Sequence, residues 1–273
     1  MFTAQVNALI ADITHKFSIA EIVRASSWQS TKAPQPMAEV LNYSFTLDLE
    51  GVNLDLYQKA LVPNLPWADS HFEKERVSGD PINPGDTWRI WPYSQSADTH
   101  RKGKEENPSF SHSYAERYWP KFANTNVGGK FEEAPDPKSM NWGYRFPYGD
   151  LEDLIQILLE DSLTRQAYLP IWFPEDLSAA RMKERVPCSL GYHFIRRNDQ
   201  LHIFYPMRSC DCIRHFRDDV YLTIRLLIWV LQQCQLADPT NWMHVIPGTF
   251  TMHITSLHMF ESDQATLIKR LLK

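Results

Sequence analysis

Two apolar strands followed by a long apolar helix constrain the fold of this chain more than any other feature. Residues 190–194 and 201–205 are apolar runs of strand length, and the pair Asn198-Asp199 between them has the composition of a hairpin turn. Residues 220–231 are apolar apart from one threonine and one arginine, and the run is too short to span a membrane. The pattern therefore predicts a β-hairpin and a buried helix.

The rest of the chain alternates helices with few strands. Helical spacing of apolar residues predicts helices at 2–16, 67–77 and 151–159, and strand-like runs lie at 40–49, 167–172 and 245–254. The second helix ends at the Ser-Gly-Asp-Pro run 78–81. Residues 26–35 are polar and predicted to form a loop, and residues 81–137 are rich in Pro, Gly, Ser, Asn and charge. We therefore expect an α+β fold in a single domain, residues 1–273, with a loop-rich insertion at about 81–137.

Composition narrows the class of protein. Hydrophobic residues make up 43% of the chain, which is enough for a large core, and the formal net charge of −5 argues against general nucleic-acid binding. The four cysteines show neither a disulfide-scaffold spacing nor a zinc-binding one. The N-terminus lacks the basic and apolar segments of a signal peptide. We expect a cytoplasmic protein that binds no membrane, no nucleic acid and no metal.

Cys188 is the first candidate for chemistry. Most cysteines are inert buried hydrophobes, and a nucleophilic cysteine needs nearby cations that lower its pKa. Arg208 follows the Asn198-Asp199 turn at the distance of a residue paired with Cys188, and Ser209 comes next. A charged group in an apolar strand needs an anionic partner, and a planar guanidinium suits a phosphate. These residues predict a cysteine nucleophile beside a phosphate-binding pair.

The same segment has the spacing of a known family. Proline precedes Cys188, the run Arg208-Ser209-Cys210-Asp211 follows, and Asp219 lies eight residues after Asp211. This pattern resembles the nucleotide-binding core of the thymidylate synthase family. The resemblance implies a thymidylate synthase-like fold with a central mixed β-sheet flanked by helices. It also implies that the cysteine attacks C6 of a pyrimidine nucleotide while the arginine and serine hold its phosphate.

Asp219 takes the position at which the family reads the base. Thymidylate synthases have asparagine there and bind uracil, whereas the cytidylate (CMP or dCMP) 5-hydroxymethylases of the family have aspartate and bind cytosine. A carboxylate accepts a hydrogen bond from cytosine N4, and the protonated acid also donates to N3. A carboxylate facing uracil meets the O4 acceptor, which is costly in a dry pocket. Asp219 is therefore counted with both the substrate-binding and the catalytic residues.

One further match to the family concerns the dimer interface. The chain also departs from the family pattern at several positions. Arg165 matches the first of two arginines that in the family cross the dimer interface to the partner's phosphate, and the second is Gln166 here. The resemblance implies a sheet-mediated homodimer with shared active sites. The alternative for Arg165 is a solvated arginine at a helix end. Ser189 stands where the family has histidine, and Met207 where it has glutamine.

A cofactor site is implied by the resemblance. The run at 118–124, with Trp119 and Phe122, resembles the segment that lies against the folate pterin, and Asp211 is assigned to both folate and nucleotide. The implied cofactor is 5,10-methylenetetrahydrofolate. Packing in the core is the alternative for the two aromatic residues.

Further residues are assigned to the nucleotide. His253 takes the place of the family's sugar-binding histidine, and the tyrosine that completes that contact is Thr255 here. Lys138, which lies close to the turn at Gly143, is also assigned to the substrate, and Arg24 is placed like a flexible phosphate-binding arginine of the family.

The acid–base group of the family is a glutamate on a helix that ends in glycine, and the segment before Gly79 is similar. Glu75 is the first choice and Glu73 the second. The alternative is that both are exposed helix carboxylates that pair with Lys74 and Arg76.

These matches predict a cytidylate 5-hydroxymethylase that works through a covalent Cys188 adduct. The chain ends fifteen residues after His258. Thymidylate synthases continue into a tail that excludes water, so a shortened tail is expected to favour capture by water. CMP is favoured narrowly over dCMP, because Thr255 leaves room at the sugar and the insertion resembles hydroxymethylases of nucleoside-antibiotic pathways. Two alternatives stay open: a divergent thymidylate synthase that methylates dUMP, and an inactive family member that binds nucleotide or RNA.

Overall fold

The computed structural model describes residues 1–25, 35–49, 53–93, 110, 112–122, 149–182 and 185–263. At the centre of this part of the chain is a six-stranded sheet. Its strands are β1 (Glu21–Ala25), β2 (Gln35–Asp48), β3 (Tyr168–Pro170), β4 (Gly191–Arg197), β5 (Gln200–Asp211) and β6 (Ile246–Phe260). The order across the sheet is β1-β2-β6-β5-β4-β3. Neighbours are antiparallel except β5 and β6, which are parallel, so the sheet is mixed as expected.

The β4–β5 hairpin forms where the sequence predicts it. Asn198 takes a left-handed conformation in the turn (φ 51°), which asparagine tolerates better than most residues. The pairing continues before β4, where Ser189 bridges Met207 and the Arg208 N–H donates to the carbonyl of Cys188 at 2.9 Å. The hairpin therefore places Cys188 beside Arg208.

Helices flank the sheet, and the predicted ones are present. The described helices are α1 (Phe2–Ser18), α2 (Leu54–Leu61), α3 (Trp67–His71), α4 (Tyr114–Tyr118), α5 (Leu151–Glu160), α6 (Asp176–Arg181), α7 (Phe216–Ala237) and α8 (Pro239–Trp242). The predicted helix 67–77 is α3 continued by a π-helical turn, Phe72–Arg76. Short 3₁₀ turns lie at Thr87–Ile90 and Pro120–Phe122.

Helix α7 forms the centre of the core and connects the parallel strands β5 and β6. It is the one described helix that is long and apolar enough to cross a membrane by length and composition alone. Thirteen of its residues are buried, among them Leu222, Ile224 and Leu227, which are fully enclosed. This is the position of a core helix, as the sequence predicts.

Some elements differ from the prediction. Strand β1 and helix α2 were not expected. Strand β3 is shorter than 167–172, because Ile171 and Trp172 both donate their N–H to the carbonyl of Leu190 and leave the regular ladder. The predicted loop 26–35 lies outside the described residues, apart from Gln35, which begins β2. The single-domain assignment stays a prediction.

Candidate active site

A cavity of about 520 Å³ opens where β5 and β6 end. Its walls come from α3 with its π-helical turn, the 3₁₀ turn at Thr87–Ile90, α4, the segment before β4, the ends of β5 and β6, and the first turn of α7. The predicted site residues that line it are Glu75, Cys188, Arg208, Ser209, Asp211 and Asp219. The fold thus brings together residues that are far apart in the sequence.

The half-buried Cys188 faces two hydrogen-bond donors. Its Sγ lies 3.7 Å from Ser209 Oγ and 3.9 Å from Arg208 Nη2. Arg208 is held in this position because its Nε donates to the carbonyl of Pro187 at 2.8 Å and its Nη2 to that of Val186 at 3.1 Å. A fixed guanidinium and a hydroxyl beside the sulfur form a site suited to negative charge.

Asp219 is a buried carboxyl group in the first turn of α7. The thiol of Cys210 donates to its Oδ2 at 3.6 Å. Burial raises the pKa of Asp219 to about 7, although the positive charge of Arg76 lowers it, and Asp218 raises it further. Near neutral pH the group exists in both protonation states, so it can donate as well as accept a hydrogen bond.

One carboxylate oxygen of Asp211 is used in hydrogen bonds to the turn that leads into α7. Its Oδ1 accepts from the N–H groups of Ile213 and Arg214, both at 3.0 Å. Burial raises the pKa of Asp211, and the neighbouring His258 on β6 opposes this shift. His258 also lines the cavity, where burial lowers its pKa. One oxygen of Asp211 therefore fixes the backbone of the cavity wall.

Glu75 projects from the π-helical turn into a tightly fitted place. Its Oε2 lies 2.7 Å from His71 Nδ1, and its Oε1 accepts the N–H of Thr87 at 2.8 Å. Gly85 packs against the same carboxylate, since a Cβ atom there would lie 2.1 Å from Oε1. Burial raises the pKa of Glu75, but the bonds from His71 and Thr87 outweigh it, so the pKa is below its usual value. Glu75 is a fixed anion in the cavity wall.

Glu73, the second choice, points away from the cavity. Its side chain is 62% exposed and pairs with Arg225 at 2.9 Å. Its surroundings match the alternative of an exposed helix carboxylate, although its partner is Arg225. The two glutamates therefore lie on different sides of the helix: Glu75 faces the cavity and Glu73 faces solvent.

A buried hydrogen-bond network behind Cys188 was not found from the sequence. The hydroxyl of Tyr114 lies 2.7 Å from Ser189 Oγ, which lies 2.5 Å from the hydroxyl of Tyr205. The guanidinium of Arg76 covers the Tyr114 ring at 4.3 Å from its centroid. Burial raises the pKa of Tyr114, while Arg76 and Ser189 lower it. Tyr114 and Arg76 both line the cavity, so the network reaches the site.

An aromatic wall of the cavity was also not found from the sequence. Trp67, Trp88, Trp91 and Phe110 line the cavity, and His215 stacks on Trp91 with ring centroids 4.9 Å apart. In the described part of the chain, the buried indole N–H groups of Trp67 and Trp91 have no acceptor. The signal in the sequence that could have indicated this wall is the Trp-x-x-Trp spacing after Gly85-Asp86.

Three predicted site residues lie elsewhere. Trp119 is buried in the core, where its indole N–H donates to the carbonyl of Arg76 at 3.0 Å. This position agrees with the alternative stated for Trp119, namely packing in the core and not contact with folate. His253 lies on the outward face of the sheet, with Nδ1 2.6 Å from Ser44 Oγ. Arg165 is exposed just before β3. None of the three lines the described cavity of its own chain.

Three further assignments cannot be placed. Lys138 lies outside the described residues. Arg24 in β1 and Phe122 at the end of the 3₁₀ turn are described in their backbone alone. Their roles stay predictions.

Comparison with known proteins agrees with this architecture. The structure matches that of thermostable thymidylate synthase A from Bacillus subtilis with a TM-score of 0.60, covering 100% of this chain and 84% of that one at 17% identity. The chain therefore has a thymidylate synthase-like fold. It is also 25% identical over 158 residues to a protein of Methanococcoides burtonii named "Putative thymidylate synthase". That match covers 58% of this chain and 66% of the relative, and it supports the same family. No protein-family model matches the chain.

Proposed function

We propose that the chain is a pyrimidine nucleotide C5 hydroxymethyltransferase that converts CMP or dCMP with 5,10-methylenetetrahydrofolate. The observation that carries this proposal is that Asp219 and Cys188 line one cavity. A carboxyl group with a pKa of about 7 can accept from cytosine N4 and, when protonated, donate to N3. Uracil offers the reverse pattern and leaves a polar atom unpaired against the ionised form.

The cavity also suits a folate. Its aromatic wall of Trp67, Trp88, Trp91 and Phe110 offers flat apolar surface to a planar heterocycle. We assign to these tryptophans the folate contact that the resemblance gives to Trp119. When bound, methylenetetrahydrofolate supplies the one-carbon unit that is added to C5.

The residues of the chain perform the remaining steps. Cys188 Sγ forms a bond to C6, which makes C5 nucleophilic. Arg208 and Ser209 bind the phosphate and hold the nucleotide against the sulfur. Tyr114 lies in its hydrogen-bond network on the same cavity wall, and the C5 proton passes to water in the cavity. Glu75 supplies the carboxylate for the addition of water to the substituted base, after which Cys188 leaves.

One observation favours a second candidate, a divergent thymidylate synthase that methylates dUMP. Both matched proteins are named thymidylate synthase. The position of Asp219 in the cavity opposes it, because the uracil edge and an ionised carboxylate present acceptors to each other.

Incubation of the purified protein with CMP, dCMP or dUMP and labelled methylenetetrahydrofolate distinguishes these functions. We expect a Cys188-dependent 5-hydroxymethyl product from a cytosine nucleotide, together with release of tritium from C5. Cys188→Ala should abolish both while nucleotide binding remains, since the phosphate and base contacts survive. A methylated product from dUMP would establish the second candidate. Binding without any turnover would identify an inactive family member.

A further inference from the structure

His71 lies beside Glu75 on the cavity wall, and its ring is held firmly. Nδ1 lies 2.7 Å from Glu75 Oε2 and 3.3 Å from Thr87 Oγ1. The ring stacks on Trp67 with centroids 5.0 Å apart and planes 11° from parallel. Its side chain is 16% exposed, against 6% for Glu75, so the imidazole is the more accessible member of the pair. Its orientation is therefore set by the protein.

This arrangement selects one tautomer of the ring. Because Nδ1 faces a carboxylate, Nδ1 carries the proton and Nε2 keeps a lone pair. Within the described part of the chain, no group hydrogen bonds to Nε2, and His71 lines the cavity. Burial lowers the pKa of His71 and the bond from Glu75 opposes this, with a net pKa below the usual value. The ring is neutral near pH 7 and can accept a proton.

Glu75 is less able to reach a reacting atom. Both of its oxygens are engaged, Oε1 by the Thr87 N–H and Oε2 by His71. The chain at Gly85 closes a further side of the carboxylate, at a position where no side chain fits. A carboxylate enclosed in this way orients and balances the charge of its neighbour, as in other carboxylate–imidazole pairs.

We infer that His71, through Nε2, accepts the proton of the attacking water, and that Glu75 is the positioning residue behind it. This inference rests on the proposed function and replaces direct contact of Glu75 with the water. In the step, the water oxygen bonds to the exocyclic methylene carbon on C5. The double bond returns to C5–C6 as the C6–Sγ bond breaks, and Cys188 leaves as thiolate. The water proton passes to Nε2, and the resulting imidazolium is stabilised by Glu75.

The other groups around the pair are consistent with this role. Arg76, on the same helical turn, disfavours a protonated ring. Thr87 from the 3₁₀ turn is uncharged. From α7, His215 lines the cavity as a neutral ring whose pKa burial lowers to about 3, and Asp218 and Asp219 line it as carboxyl groups. Glu75 is the carboxylate that bonds to His71 directly.

Two substitutions separate a proton acceptor from a merely structural histidine. In His71→Asn, the amide can still donate to Glu75 but has no basic nitrogen at the Nε2 position. His71→Ala removes both functions. We expect both variants to lose hydroxymethyl product formation by about 10²- to 10⁴-fold, the usual contribution of a general base, while C5 tritium exchange stays within a few-fold of the wild type. Added imidazole should partly restore product formation in His71→Ala.

A matched control and a second measurement make the test decisive. His244→Asn alters an exposed histidine that pairs with Asp199 outside the cavity, and should behave as wild type. If His71→Asn forms product at the wild-type rate, or loses C5 tritium exchange and product formation equally, the inference is wrong but the proposed function stands. If the wild type exchanges C5 hydrogen on no nucleotide, the proposed function fails. ¹⁵N NMR of the His71 ring tests the pair independently of turnover: an Nδ1–H neutral tautomer agrees with Nε2 as the free base, and an Nε2–H tautomer refutes the inference.

Discussion

Asp219 gives the cavity a carboxyl group whose charge changes near neutral pH, because burial raises its pKa to about 7. Its protonation state determines which edge of a pyrimidine it can pair with. An asparagine at this position keeps the size of the side chain and a donor and acceptor, but its rotated amide also serves the O4 and N3–H of uracil. Under the proposed function, we therefore expect the choice of base to depend on this single side chain.

Asp219→Asn should lose discrimination mainly by gaining activity on the uracil nucleotide. An unpaired polar group costs about 1–3 kcal/mol, so we expect the preference to shift by roughly ten- to hundredfold. The measurement is the ratio of kcat/KM for the cytosine and uracil nucleotides. Asp218→Asn is the control, since Asp218 is held by the backbone and side-chain N–H of Asn64, both at 2.7 Å. An unchanged ratio in Asp219→Asn would show that Asp219 does not read the base.

The same carboxyl group should make stability depend on pH. Its folded pKa of about 7 lies above the ordinary aspartate value of about 3.9. Between these values the folded state keeps a proton that the unfolded state has released, so stability falls as pH rises through this window. Asp219→Asn removes this term, and its stability relative to wild type should rise by the order of a few kcal/mol from pH 4 to pH 8. Urea unfolding at both pH values measures the difference, and a constant difference would contradict the assignment.

At the scale of elements, the π-helical turn Phe72–Arg76 and the 3₁₀ turn at Thr87–Ile90 form one unit around Glu75. The N–H of Thr87 reaches the carboxylate because Gly85, two residues earlier, lets the chain approach it closely. Gly85 also has a φ of +71°, which glycine adopts without strain. The unit therefore depends on this glycine both for its conformation and for the space it leaves.

Gly85→Ala should damage the site in a way that Gly79→Ala does not. Both glycines have positive φ, so both substitutions cost about 1 kcal/mol or more of backbone strain. A methyl group at Gly79 meets nothing within 4 Å, whereas at Gly85 it would overlap the Glu75 carboxylate. Gly85→Ala should therefore reduce product formation at least tenfold more than Gly79→Ala. Equal kinetics in two folded variants would argue against a role for this contact.

Elements with strong local patterns were predictable from the sequence. The β4–β5 hairpin follows from two apolar runs around a turn pair, and the pairing it creates puts Cys188 beside Arg208. Helices α1 and α5 follow from apolar residues at helical spacing, and α7 follows from a nearly continuous apolar run. In each case the residues that determine the structure are close in sequence.

The rest depended on contacts that no local pattern records. Glu75 and Arg76 lie on the buried side of their turn, so hydrophobic periodicity could not separate Glu75 from the exposed Glu73. Trp88 and Trp91 line the cavity and Trp119 does not, and this depends on how distant segments pack. The same holds for Tyr114, which reaches Ser189 across 75 residues of sequence.

At the scale of the whole molecule, the sheet has one face on the core and one turned outward. The outward side carries Phe204, which is 40% exposed, and the polar pair Ser44 and His253. Exposed Arg165 adjoins edge strand β3 and does not line its own chain's cavity. Arg165 is placed as it would be if a second copy packed against the sheet and this arginine completed that copy's phosphate site. We therefore propose a homodimer that shares its active sites.

Mixing two inactive variants tests this assembly. Arg165→Ala removes the arginine proposed to reach the partner's phosphate, and Cys188→Ala removes the proposed nucleophile. In a heterodimer of the two, one site keeps both residues and the other keeps neither. Random exchange of equal amounts makes half of the dimers heterodimers, so activity should return to about a quarter of the wild-type value, as two-fold symmetry requires. Light scattering should show a dimer throughout, and a monomeric protein, or a mixture that stays inactive despite proven subunit exchange, would refute the shared site.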